Sequence, residues 1–148
     1  MTFAISTAIA LSAITLPGLA QAWEAGRDGT ICTLTHVENG TDIVLTYDPA
    51  GPLYTITATQ AGAWPQAAIF GIAFQGGAAQ TITTDRHRLS ADRQSLTVAD
   101  RGFGNVLRGL SDNATATLFT GDAAVTVSLT GAAPEVAEFA ACQTMPTA

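Results

Sequence analysis

Apolar and polar residues alternate with a period of two along most of the chain from residue 31 onward, the pattern of half-buried β-strands. It predicts strands at 31–38, 41–48, 53–60, 68–75, 79–84, 94–99, 114–120 and 123–130. In the second, Ile43, Leu45 and Tyr47 share a face; in the third, Tyr54, Ile56 and Ala58 oppose Thr55, Thr57 and Thr59. Strand 68–75 carries Ile69, Phe70, Ile72 and Phe74 on both faces, which predicts an interior position in its sheet. Turn chemistry separates the strands. Asn39-Gly40 is the strongest short signal for a type I′ hairpin. Asp48-Pro49-Ala50-Gly51-Pro52 and Gly76-Gly77 mark further turns, and Gly121-Asp122 joins the last two strands.

Two segments leave the pattern. Val106, Leu107 and Leu110 give 102–113 the spacing of one or two helical turns. Residues 133–142 read as a short helix: Pro134 suits its first turn, Glu135 and Glu138 favour its N-terminal half, and Val136, Phe139 and Ala140 share a face. The expected fold class is all-β, an antiparallel sandwich or barrel with a short C-terminal helix.

The first 22 residues are of a different kind. An apolar run from Phe3 to Leu16 breaks at Pro17-Gly18 and ends Ala20-Gln21-Ala22, with small residues where a signal peptidase requires them. Residues 1–22 are therefore expected to be a signal peptide, with a single domain at 23–148 whose mature chain begins at Trp23. The leader lacks Lys and Arg, so its only positive charge is the amino group of Met1; either that suffices or the true start lies upstream. Ser6, Thr7, Ser12 and Thr15 interrupt the run, leaving it short of the roughly 20 apolar residues of a spanning helix. No membrane span is expected once the leader is removed, and the location is expected to be periplasmic or secreted.

Export changes how the two cysteines are read. Cys32 and Cys142 lie far apart, without a Cys-x-x-Cys or a nearby histidine pair, which makes a poor zinc site. In an oxidising compartment they are expected to form a disulfide. A loop of about 100 residues closed in this way is worth roughly 4–5 kcal/mol on the chain-entropy model.

With 12 acidic and 6 basic residues the net charge is −6, and every basic residue is Arg. Such a chain should repel nucleic acid and favour a basic protein or no partner. Without Lys there is no phosphate-binding Gly-x-x-x-x-Gly-Lys loop and no Ser-x-x-Lys; Gly-x-Ser-x-Gly and His-Glu-x-x-His are also missing. Asp100-Arg101-Gly102-Phe103-Gly104-Asn105 contains Gly-x-Gly but lacks the third glycine of a dinucleotide site, and reads as a tight turn. Neither a cofactor nor a metal is expected. His36 is expected to be a surface or satisfied residue of the first predicted strand. The densest charge is Asp85-Arg86-His87-Arg88. Arg86, His87 and Arg88 are candidates for contact with an anion or a partner, or for an acid/base site at His87; the alternative is a solvated turn whose charges pair locally. The Thr-x-Thr pairs at 55/57/59, 81/83 and 115/117, with Thr126/Ser128/Thr130, could form a flat binding face, although threonine is also the usual outward residue of an exported β-protein.

The leader, Trp23, the early Cys32, the run of strands, Gly131-Ala132-Ala133-Pro134 and the closing Phe139-Ala140-Ala141-Cys142 together resemble a group of small exported proteobacterial β-rich proteins of unknown function. That group is distantly similar to the invasion-associated locus B proteins. The resemblance implies an exported β-rich domain and carries over no catalytic residue. Similar chains sometimes bear the label of a DNA-repair excinuclease, which the missing phosphate-binding lysine and the leader contradict. Three functions follow as expectations. The first is a non-catalytic binding or envelope-associated domain. The second is an inhibitor of a basic periplasmic hydrolase such as lysozyme. The third is an enzyme using the His87 loop.

Overall fold

The structure, a computed structural model, describes residues 21–142. The predicted leader, apart from Gln21 and Ala22, and the tail at 143–148 lie outside the described residues. Ten strands and two helices follow in the order β1 (Gln21–Asp28), β2 (Ile31–Glu38), β3 (Thr41–Asp48), β4 (Leu53–Thr59), β5 (Phe70–Gln75), β6 (Gln80–Thr84), β7 (Arg88–Leu89), β8 (Ser95–Asp100), α1 (Gly104–Asp112), β9 (Thr115–Thr120), β10 (Ala123–Ser128) and α2 (Ala132–Cys142). They form two antiparallel sheets, one of six strands ordered β1-β2-β3-β4-β8-β7 and one of four ordered β10-β9-β5-β6. The fold is thus an all-β sandwich with a short C-terminal helix. β5 lies inside its sheet, between β9 and β6.

The period-two pattern explains the layers. Cys32, Leu34, Ile43, Leu45, Ile56, Ala58, Leu96 and Val98 point inward from the larger sheet. Phe70, Ile72, Phe74, Ala116, Leu118 and Val127 meet them from the smaller one. Asn39 and Gly40 both take positive φ, 50° and 75°, as a type I′ turn requires. One end of the sandwich is closed by Trp64, fully buried in the β4–β5 loop, whose indole donates to the Ala58 carbonyl at 3.2 Å. At the other end α1 and α2 pack together, and Phe103 and Phe139 join Tyr54 in an aromatic cluster. The Cys32–Cys142 disulfide ties the start of β2 to the end of α2 across 110 residues.

Two strands were not predicted. β7 is only two residues long, and its pattern is lost among the charges of 85–93. β1 has the sequence Gln-Ala-Trp-Glu-Ala-Gly-Arg-Asp, which holds no β-branched residue. Tertiary contacts supply what propensity does not. Trp23 is buried with its Nε1 donating to the Ser128 carbonyl at 2.8 Å, and the Ala25 N–H donates to Glu135 of α2 at 2.9 Å. The second bond places a carboxylate over the open edge of β1, which would otherwise present unpaired donors.

Candidate functional site

The two seams of the sandwich differ. Where β1 and β2 approach β10, the edge of the smaller sheet is satisfied by side chains of the larger. The Ser128 N–H donates to both carboxylate oxygens of Glu38, and its carbonyl accepts from Trp23. His36 stacks flat on Trp23, with ring centroids 4.4 Å apart and planes 3° from parallel, and its Nε2 lies 3.3 Å from Glu38 Oε1. His36 is only 4 % exposed and its Nδ1 has no hydrogen-bond partner, so it is a core residue of the closed seam and not a surface one.

The opposite seam is open. β7 covers β8 only at Leu96 and Thr97, so the stretch from Val98 to Asp100 has no strand beside it on that side among the described residues. Across from it runs β6, the edge of the smaller sheet. Between them lies a cleft of about 170 Å³. Ile56, Phe70, Ile72 and Val98 line it from the sheets, Ile82 from the edge strand, and Phe103 and Val106 from α1 and its approach. Its polar groups stand at the rim: Thr83, Thr84, Arg86, Asp100 and Asn105. Arg86 Nη2 donates to Asp100 Oδ2 at 3.1 Å, and the Asp100 Oδ1 accepts the N–H of Arg101 at 2.7 Å. The arginine side chain is 69 % exposed, so this is a weak, solvent-screened pair.

The residues singled out from the sequence divide around this cleft. Arg86 stands at its mouth. His87 is half-buried with its ring 6.1 Å from that of Phe70, a cleft residue, and its Nδ1 is enclosed without a partner. Arg88 lies on β7 opposite Thr97. The three also line a shallow outer groove with Asp85, Thr97 and Ala99. The apolar cleft itself was not anticipated. Its walls come from five separate elements and the turn before α1, and each apolar residue reads in the sequence only as core. The nearest signal was the Gly102-Phe103-Gly104 turn, which starts α1 at the mouth and buries Phe103.

Of the threonine sets, 55/57/59 lies on the larger sheet, and 81/83, 115/117 and Thr126/Ser128 lie on the smaller. On the outer side of the larger sheet the hydroxyls of Thr46 and Thr55, Thr57 and Thr97, and Thr59 and Ser95 pair across strands at 2.5, 3.0 and 2.8 Å. Each partly satisfies its neighbour, which is a sheet-stabilising arrangement. Among the described residues no group of three His, Cys, Asp or Glu side chains could hold a metal ion, and no helix is long and apolar enough to cross a membrane. Fold and cleft define an antiparallel β-sandwich with one sealed seam and one open, apolar seam. No protein-family model, curated protein or solved structure matches the chain.

Proposed function

We propose that this is an exported, non-catalytic binding domain whose ligand enters the cleft at the open seam. The observation that carries the reading is the cleft itself: an apolar interior of about 170 Å³ with polar groups confined to its rim. This is how small-molecule sites are built, with apolar walls for affinity and a few polar groups for orientation. Arg86 and Asp100 bond each other, and His87 packs on Phe70 with an enclosed Nδ1; these are the marks of rim and wall. The inhibitor reading rests on the net charge of −6 and gains no specific contact surface among the described residues.

The disulfide favours an oxidising compartment, and with the leader it supports a periplasmic or secreted protein that begins at Trp23. Pairing of β1 with β2 is continuous from Glu24–Thr35 to Asp28–Ile31, with its irregularity just before, so removal of residues 1–22 takes away only the Gln21–Val37 pair. The resemblance to small exported proteobacterial β-proteins belongs to the same proposal.

Titration of the exported protein with benzene, followed by methyl NMR, tests the cleft. Saturable shifts at Ile72, Val98 and Val106 are expected, and unmoved methyls would remove the reading. Mass spectrometry of the same sample should give a chain starting at Trp23 with both thiols blocked.

A further inference from the structure

The charge around the cleft points to one class of ligand. The chain as a whole is acidic, and the charged residues that line the cleft are one arginine, Arg86, and one carboxylate, Asp100. Arg86 is on the rim, Arg101 follows Asp100, and Arg108 donates to the side chain of the rim residue Asn105, whereas Arg88, opposite Thr97, lies in the outer groove. Asp85 lies with Arg88 in that outer groove, so Asp100 is the acidic residue of the cleft lining. The two members of the rim pair are not equally held. Asp100 is anchored by the Arg101 N–H as well as by Arg86, whereas Arg86 projects into solvent and bonds Asp100 through Nη2. A guanidinium has five donors, so Arg86 can take a second carboxylate without leaving the first.

We propose that the cleft binds a small carboxylate with an apolar body, the body between the sheets and the carboxylate on Arg86. This rests on the cleft being the ligand site and adds the head group. The size follows from the volume. An apolar cavity of about 150 Å³ holds a benzene molecule, so about 170 Å³ suits a body of about six to eight carbons. An anion is selected over a cation because both oxygens of Asp100 are already engaged, by Arg86 and by the Arg101 N–H, whereas Arg86 spends only Nη2 on that pair; it is selected over a neutral head because a charge-assisted bond is roughly twice as strong as a neutral one.

The test compares hexanoate, hexanol and hexylamine as probes on the mature, disulfide-intact protein, with amide and methyl NMR as the readout. Hexanoate is expected to give saturable shifts at Ile72, Val98 and Val106 and to bind about two- to fivefold more tightly than hexanol, the equivalent of one solvent-screened ion pair. Arg86→Gln, at an exposed position that the fold does not need, should abolish that advantage and leave hexanol binding unchanged. Asp100→Asn should strengthen hexanoate, because it removes the competing carboxylate and keeps an acceptor for the Arg101 N–H. Equal affinity for hexanoate and hexanol, or tightest binding of hexylamine, would overturn the carboxylate assignment while the cleft stood as the site. If none of the three shifted the cleft methyls, the proposal and the binding reading would fall together.

Discussion

Glu38 holds the peptide N–H of Ser128 with both carboxylate oxygens, at 3.2 and 3.1 Å, across 90 residues of sequence. Glu38 ends β2 in the larger sheet, and Ser128 ends β10 at the edge of the smaller. One carboxylate therefore does at this seam what backbone pairing would do in a closed barrel. The same carboxylate faces His36, which is stacked on Trp23, whose indole takes the Ser128 carbonyl. Both backbone polar groups of one edge residue are satisfied from the opposite sheet, which closes the seam at Ser128.

Removing the acceptor should be costly. Glu38→Ala leaves the Ser128 N–H and the His36 Nε2 without their partner in a part-buried seam, and is expected to destabilise the protein by about 1–3 kcal/mol. Glu38→Gln retains one oxygen for the Ser128 N–H and should cost less than half as much. Urea unfolding followed by tryptophan fluorescence measures both, with Trp23 reporting on the seam itself. Equal losses in the two variants would mean that the charge, not the acceptor, closes the seam.

Loss of the disulfide is expected to act on the whole fold. Its cysteines are 110 residues apart and their Cα atoms 6.2 Å apart. The double variant Cys32→Ala/Cys142→Ala, in which alanine avoids burying a hydroxyl at position 32, should lose about 2–5 kcal/mol. The denaturation midpoint of the variant against the oxidised parent decides the matter. A loss below about 1 kcal/mol would show that the unfolded chain is already compact enough to keep these ends close.

The strands that the sequence revealed are those whose inward residues are branched or aromatic: Ile43 and Leu45, Phe70 and Ile72, Leu118 and Val127. In them local propensity and burial agree. β1 stayed hidden because its sequence offers the alternation of Trp23 and Ala25 without strand-forming neighbours; it is held by Ser128 and Glu135, more than 100 residues away. The cysteine pair was legible because the expected export narrows the chemistry of two cysteines. Of the two expectations for His36, surface or satisfied, burial excludes the first, and nothing local announces the Trp ring above it. The cleft was illegible for a deeper reason. It exists because β7 stops after two residues, and the length of an edge strand is fixed by what lies beside it.

The loop after β7 gives a pH-dependent prediction. The Ser90 hydroxyl donates to Asp92 Oδ1 at 2.7 Å and the Gln94 N–H donates to the same oxygen at 3.0 Å. These bonds, the Ser90 one first, hold the Asp92 carboxyl below its ordinary range. A carboxylate whose folded pKa is depressed stabilises the fold above its unfolded value, and that contribution is lost as pH falls through the folded one. Asp92 is exposed, so the effect on stability is small and is best read at the group itself. Carboxyl NMR should find Asp92 titrating below the usual carboxylate range, and Ser90→Ala should move its midpoint up. An unchanged midpoint would assign the depression to the Gln94 N–H alone.

Gly109 in α1 lies where helix propensity and packing oppose each other. Alanine is preferred to glycine inside a helix by about 1 kcal/mol, so propensity alone predicts that Gly109→Ala stabilises. However, a Cβ at this position would sit 2.6 Å from Cζ of Phe74 and nearer still to two other carbons of that ring. Phe74 is 1 % exposed and has no free space to turn into, and overpacking a well-filled core typically costs about 1–3 kcal/mol. Packing should win, and Gly109→Ala is expected to lower stability by about 1–2 kcal/mol. Phe74→Leu shortens the obstructing ring and should be costly alone, yet with Gly109→Ala the total loss should fall short of the sum of the two. That shortfall, measured in a double-mutant cycle by urea denaturation, is the signature of direct contact. If Gly109→Ala proved as stable as the parent, α1 would not be seated on Phe74, and the helix that forms one wall of the cleft would be free to shift.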